Sequence, residues 1–169
     1  DDAVAEARQR VPGARFHSGV LADNPWPDEC FDAVVMIDFI EHVRDPEMEL
    51  RFAVDRLEKG GRLVLSTPEA GSVVHRLTRR FWPQYREEHL TYFSRNGLRQ
   101  LFERMECQIV HIGISRKAVT ANYLYGQLLA YPIPVLTPAI RRLWRVLPVS
   151  KNRVRWIGFG EMVVVVERR

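Results

Sequence analysis

The chain has 169 residues, 46% of them hydrophobic and 27% charged, with a net charge of +4. That is enough for one domain with a real core and too few for two, and the composition excludes a disordered or fibrous protein. Cys30 and Cys107 stand far apart, with no CxxC pattern or His cluster nearby, so neither a disulfide framework nor a zinc site is expected, and a reducing cytoplasm is the default.

Residues 3–10 read as the end of a helix closed by Pro12-Gly13, and Ala14 to Ser18 as a short strand. The Arg-rich opening is the wrong composition for a signal peptide. A polar loop spans Asp23 to Cys30. Phe31 to Ile37 is a nearly continuous apolar run, the pattern of a strand buried on both faces of a parallel sheet. Asp45-Pro46 starts a helix with an N-cap and a first-turn proline, followed by Glu47 and Glu49 near the positive end of the dipole. Its apolar face carries Met48, Leu50, Phe52, Ala53, Val54 and Leu57, and Lys59-Gly60-Gly61 is expected to end it. Arg62 to Ser66 is the next buried strand, stopped by Thr67-Pro68. Ser72 to Arg80 predicts a second helix. Ser94 caps a third, with Leu98, Leu101, Phe102 and Met105 at helical spacing. Gln108 to Ile114 and Glu161 to Glu167 are strands. Alternating strands and helices predict an α/β layered fold with a mostly parallel sheet.

One segment stands apart. Between Glu106 and Glu161 there is no acidic residue, while Arg116, Lys117, Arg141, Arg142, Arg145, Lys151, Arg153 and Arg155 are interleaved with Tyr123, Tyr125, Tyr131, Trp144 and Trp156. Within it, Tyr123 to Leu136 is the most apolar stretch of the chain. It is shorter than the about 20 residues of a membrane span, and Pro132 and Pro134 break it. The domain organisation expected is a core over 1–117, a basic and apolar helical insertion over 118–158, and a final core strand over 159–169.

Ligands of open α/β sheets bind beyond the carboxyl ends of the strands, which directs attention to Gly19–Asp23, Asp38–His42 and Thr67–Gly71. Five pieces follow one another there: Pro25-Trp26-Pro27-Asp28 with Phe31-Asp32; Asp38-Phe39-Ile40-Glu41-His42-Val43 with Asp45-Pro46; Leu57 to Leu63; Thr67-Pro68; and Glu88-His89-Leu90-Thr91-Tyr92-Phe93-Ser94. In this order and spacing, over residues 3 to 115, they resemble class I methyltransferases of the ubiquinone-biosynthesis O-methyltransferase type. The resemblance implies a Rossmann-like sheet, parallel with an antiparallel last strand formed by Glu161–Glu167. It implies S-adenosylmethionine as cofactor, touched here by Gly19, Val20, Leu21, Ile37, Asp38 and His42. The family's glycine-rich turn and the acidic residue after its second strand are not among these residues. The fragment is therefore expected to lack the first strands, to bind the cofactor poorly and to be inactive alone. The Asp that the family carries after Gly19 is here Val20, which takes away one side-chain contact to adenine.

Methyl transfer from a sulfonium needs acceptor and methyl held in line, water excluded and, often, a proton removed. His42 is the first candidate for general base because its unperturbed pKa is near neutrality; His89 is the second, and Glu41 completes the catalytic set. The alternative is that Glu41 and His42 only orient the loop into the following helix. Asp38-x-x-Glu41-His42 with His89 is also similar to the Glu-x-x-Glu-His plus His set that binds a divalent ion in small-RNA 2′-O-methyltransferases. That similarity implies a site for magnesium or a first-row metal on Asp38, Glu41, His42 and His89. Arg76, Arg79, Arg80, Phe81, Trp82 and Arg86 read either as a lid or as a solvated helix face with two aromatics in the core.

Residues Pro138 to Pro148 predict an amphipathic helix, with Ile140, Leu143, Trp144 and Leu147 opposite Arg141, Arg142 and Arg145. With Tyr123 to Leu136 before it, this suits an anionic membrane surface on the inner face or an apolar, anionic substrate. A helical cap on the domain or a contact in a homo-oligomer is the plainer alternative, and no binding motif supports nucleic acid. The function expected is methyl transfer to an oxygen of a small or lipid-linked acceptor. Its rival is a degenerate, non-catalytic module that docks through the basic insertion.

Overall fold

The computed structural model describes residues 2–23, 30–144, 146 and 150–169, so Pro25-Trp26-Pro27-Asp28 and the predicted helix positions Arg145, Leu147 and Pro148 lie outside the described residues. Helix α1 (Asp2–Arg10) comes first. Residues 14–18 form no strand there. An extended segment gains a ladder only beside another strand, and none of the described strands pairs with it.

The main sheet has four strands in the order β1 (Phe31–Ile37), β2 (Leu57–Pro68), β6 (Glu161–Arg168) and β3 (Cys107–Ile114). β1 and β2 are parallel, while β6 runs antiparallel to both β2 and β3. Helix α2 (Pro46–Asp55) begins as its sequence predicts: the Asp45 carboxylate accepts from the Met48 amide at 3.0 Å, with Pro46 in the first turn. It ends earlier than predicted. β2 starts at Leu57, and Lys59-Gly60-Gly61 lies inside the strand as an irregularity, the register stepping from Phe31↔Leu57 to Ala33↔Arg62. Gly60 takes a φ of 77°, and a Cβ on Gly61 would sit 2.8 Å from the Glu58 carbonyl oxygen, so glycine is required for the distortion. Nor does Thr67-Pro68 stop the strand: both pair with β6, opposite Met162 and Glu161.

One face of the sheet holds the core. Leu63 and Leu65 of β2 and Met162, Val164 and Val166 of β6 pack with Leu50 and Val54 of α2 and with Leu98 and Phe102 of α4 (Arg95–Arg104). Ser94 caps α4 by accepting from the Gly97 amide at 3.0 Å. The other face is thinly covered at β1. Met36 is buried, but Val35 and Ile37 are 62% and 55% exposed, so this strand is not buried on both faces as its apolar run suggested. Met48 on α2 is also exposed.

Between β2 and α4 lie α3 (Val73–Thr78), capped by Ser72, and a turn carrying the buried Trp82. The segment between β3 and β6 opens and closes on a two-stranded ribbon, β4 (Lys117–Val119) against β5 (Arg155–Ile157). Between these strands run α5 (Ala121–Ala130) and α6 (Leu136–Leu143). α6 starts two residues before Pro138. Leu143 is exposed, and Trp144 stacks on Tyr125 at 4.3 Å. No described helix is long and apolar enough to cross a membrane.

Candidate active site

Because β6 is antiparallel, its first residue lies at the same end of the sheet as the last residues of β1, β2 and β3. Asp38 follows β1 in a left-handed conformation, φ 48°, its amide donating to the Ser66 carbonyl at 3.1 Å. A short 3-10 turn over Ile40–His42 follows, with Ile40 in the core. Burying Ile40 carries Glu41 inward with it. Glu41 is 1% exposed; its carboxylate accepts from Thr67 Oγ1 at 3.1 Å, and its carbonyl accepts from the Leu90 and Thr91 amides at 2.8 and 3.2 Å. Burial pushes the Glu41 carboxyl above its ordinary value, against the hydrogen bonds that lower it.

The same backbone link brings the 88–92 loop onto His42. His42 Nδ1 lies 2.9 Å from the Glu88 carbonyl, and His89 Nδ1 lies 2.8 Å from the Gln84 carbonyl. A carbonyl only accepts, so each Nδ1 carries the proton and each neutral ring keeps its lone pair on Nε2. The rings meet edge to face with centroids 4.8 Å apart. Burial holds His89 below its ordinary value, and the neighbouring His42 and Arg86 act in the same direction. One ring nitrogen of each histidine and a Glu41 oxygen lie within 4.8 Å of one another, a set that could hold a metal ion.

Asp38 is not in that set. Its Oδ1 accepts from Ser66 Oγ at 3.1 Å and its Oδ2 from Lys117 Nζ at 2.7 Å. Lys117 also reaches Glu161 Oε1 at 2.9 Å, and Gln84 Nε2 donates to the same oxygen at 2.8 Å. Burial alone would pull Lys117 down, but its bonds to Asp38 and Glu161 outweigh that and hold it above its ordinary value.

These groups line one cavity of ≈ 640 Å³, whose far wall is the segment between β3 and β6: Val119, Leu124, Leu128, Ile133 and Phe159 with Tyr123 and Tyr131. Arg86 ties wall to core, donating to Gln127 Oε1 at 3.3 Å and lying over the Tyr131 ring at 5.1 Å. Of the predicted residues, Asp38, Glu41, His42 and His89 line this cavity. Gly19, Val20, Leu21 and Ile37 do not; Leu21 packs against the core, while Val20 and Ile37 are exposed. Lys117, Glu161 and Gln84 are site residues that the sequence reading passed over. The rule of looking beyond strand ends would have reached Lys117 and Glu161 had it been applied to β3 and to the start of the antiparallel β6.

The profile of a methyltransferase-domain family matches residues 2–112. A Mycobacterium tuberculosis protein, named as a probable S-adenosylmethionine-dependent methyltransferase, is 37% identical over 68 residues, which are 40% of this chain and 25% of that protein. The match thus spans about a quarter of that relative's length. A SAM-dependent methyltransferase of Thermotoga maritima superposes over 100% of this chain and 70% of its own, with a TM-score of 0.60 and 20% identity. The magnesium protoporphyrin IX methyltransferase of Synechocystis, solved with S-adenosylhomocysteine bound, covers 98% of this chain and 59% of its own, with a TM-score of 0.55 and 11% identity.

Proposed function

The chain belongs to the methyltransferase-domain family and has the class I methyltransferase fold, and from that premise we propose that its pocket receives the acceptor of an S-adenosylmethionine-dependent O-methyltransferase. The observation that carries this reading is the pair His42 and His89, each holding its Nδ1 proton on a main-chain carbonyl and offering Nε2 at the cavity.

The cofactor when bound supplies an electrophilic methyl group on sulfonium sulfur. On the side of this chain, Asp38 and His42 border the cavity, and the exposed Val20 and Ile37 offer apolar surface at which an adenine could rest. The acceptor hydroxyl would give its proton to an imidazole Nε2 as its oxygen takes the methyl group that the bound cofactor would supply. His89, held neutral by burial, is ready for that proton at pH 7. Its Nδ1–H bond to the Gln84 carbonyl steadies the imidazolium that forms.

The apolar far wall suits a small or lipid-linked acceptor. The same segment between β3 and β6 exposes Val135, Leu136, Leu143 and Trp156 and contains no acidic residue, which supports a cytoplasmic protein resting on the inner face of an anionic membrane. A first-row divalent metal would find three ligands, Glu41, His42 and His89, a set richer in nitrogen than magnesium favours, and would lower the pKa of a bound hydroxyl. Asp38, engaged by Lys117 and Ser66, would not be a fourth.

The test is titration of S-adenosylhomocysteine into the protein, followed by transfer of labelled methyl from S-adenosylmethionine to hydroxylated acceptors. His42→Ala and His89→Ala are expected to lower kcat, the essential base by roughly 10²–10⁴-fold, and a chelator reports on the metal. Because this chain alone is expected to bind the cofactor poorly, the titration and the assays use the full-length protein that contains it, and absence of S-adenosylhomocysteine binding there would leave the non-catalytic docking module as the account.

A further inference from the structure

The cavity holds a second polar group outside the Glu41–His42–His89 cluster. Lys117 Nζ sits 2.7 Å from Asp38 Oδ2 and 2.9 Å from Glu161 Oε1, yet its side chain is 41% exposed and lines the cavity. An ammonium has three N–H donors, and these carboxylates take two. Glu161 is 5% exposed; its Oε1 serves both Lys117 and Gln84, while its Oε2 is buried with no hydrogen-bond partner. That oxygen is closed off from the cavity, so the acceptor a ligand can reach is the Asp38 carboxylate, 38% exposed beside Lys117.

The group therefore has a donor and an acceptor to spare. A hydroxyl can use both, accepting from Lys117 while donating to a carboxylate oxygen. A ketone can only accept and an ammonium can only donate. A carboxylate can only accept, and it meets two like groups against one ammonium. We propose that Lys117, Asp38 and Glu161 form a hydroxyl-binding subsite, which selects an apolar ligand bearing a neutral hydroxyl and rejects one bearing a carboxylate at that end. The subsite stands on the pocket alone and is read by binding without cofactor, so its failure and that of the methyl-transfer reading are separate results.

The experiment is calorimetric titration of the protein at pH 7.5 with four probes that share one apolar body: 4-butylcyclohexanol, 4-butylcyclohexanone, 4-butylcyclohexylammonium and 4-butylcyclohexanecarboxylate. The alcohol is expected to bind tightest and the carboxylate at least about tenfold weaker, the factor that one charge-assisted hydrogen bond represents. Lys117→Met should cost the alcohol roughly tenfold, with Lys117→Arg recovering part of it. Should Lys117→Met fail to fold, the four-probe order on the unaltered protein still decides. Ketone, ammonium or carboxylate binding as tight as the alcohol, no binding by any probe, or a folded Lys117→Met that binds the alcohol undiminished would each overturn the subsite.

Discussion

Glu41 and His89 are set by burial in opposite senses, and each sense has a measurable sign. Burial disfavours the charged form of both, so the Glu41 carboxyl rises above its ordinary 4.5 while the His89 imidazole falls below its ordinary 6.5. For Glu41 the folded pKa exceeds the unfolded one. Its contribution to stability is whole below pH 4.5 and is lost as pH rises through the folded value. Glu41→Gln keeps an oxygen to accept from Thr67 and does not titrate. The gap in urea midpoint between variant and wild type should stay flat below pH 4.5 and widen above it in favour of the variant. For His89 the lowered pKa extends the neutral, base-competent form to more acid solution. If His89 is the base, the acid limb of kcat/KM falls below pH 6.5, and His89→Ala abolishes that limb. A limb above 6.5 would assign the proton to another group.

At the scale of elements, what the sequence announced was what local chemistry decides. Asp45-Pro46 and Ser94 are capping signals, and both side chains accept from an amide of the first turn, Met48 and Gly97. The apolar spacing of α4 placed Leu98, Leu101, Phe102 and Met105, all of which are buried. Truncating Phe102 to Ala should cost about 3–5 kcal/mol, and Ser94→Ala about 1 kcal/mol, both read from urea unfolding. What stayed hidden depends on neighbours. Burial of Phe31–Ile37 on both faces requires a covering layer that Val35 and Ile37 do not find, and Lys59-Gly60-Gly61 reads locally as a helix end but is absorbed by pairing with β1. The site divides the same way. His42 and His89 are legible as motif residues, but the Lys117–Asp38–Glu161 contacts join residues 79 and 44 apart along the chain and depend on the reversal of β6.

On the whole molecule, charge and apolar exposure fall unevenly. The core strands and helices carry the acidic residues, whereas the segment between Glu106 and Glu161 carries none and exposes Val135, Leu136, Leu143 and Trp156 beside Arg141, Arg142, Arg153 and Arg155. The same segment forms the far wall of the cavity, so a surface that settles on lipid would present the pocket to a lipid-borne acceptor without the acceptor crossing water. Two forces would act, and they respond differently to salt. Attraction of arginine to anionic headgroups contributes about 1 kcal/mol per residue and is screened within a Debye length, while burial of leucine and tryptophan in the interface is not. The protein should therefore co-sediment with phosphatidylglycerol-containing vesicles and not with pure phosphatidylcholine. Arg141→Ser with Arg142→Ser should weaken that binding roughly thirtyfold at low salt, the two residues together being worth about 2 kcal/mol. Trp156→Ser should weaken it equally at low and high salt. Equal binding to neutral and anionic vesicles would leave the arginines as a solvated face, and the segment between β3 and β6 as a pocket wall alone.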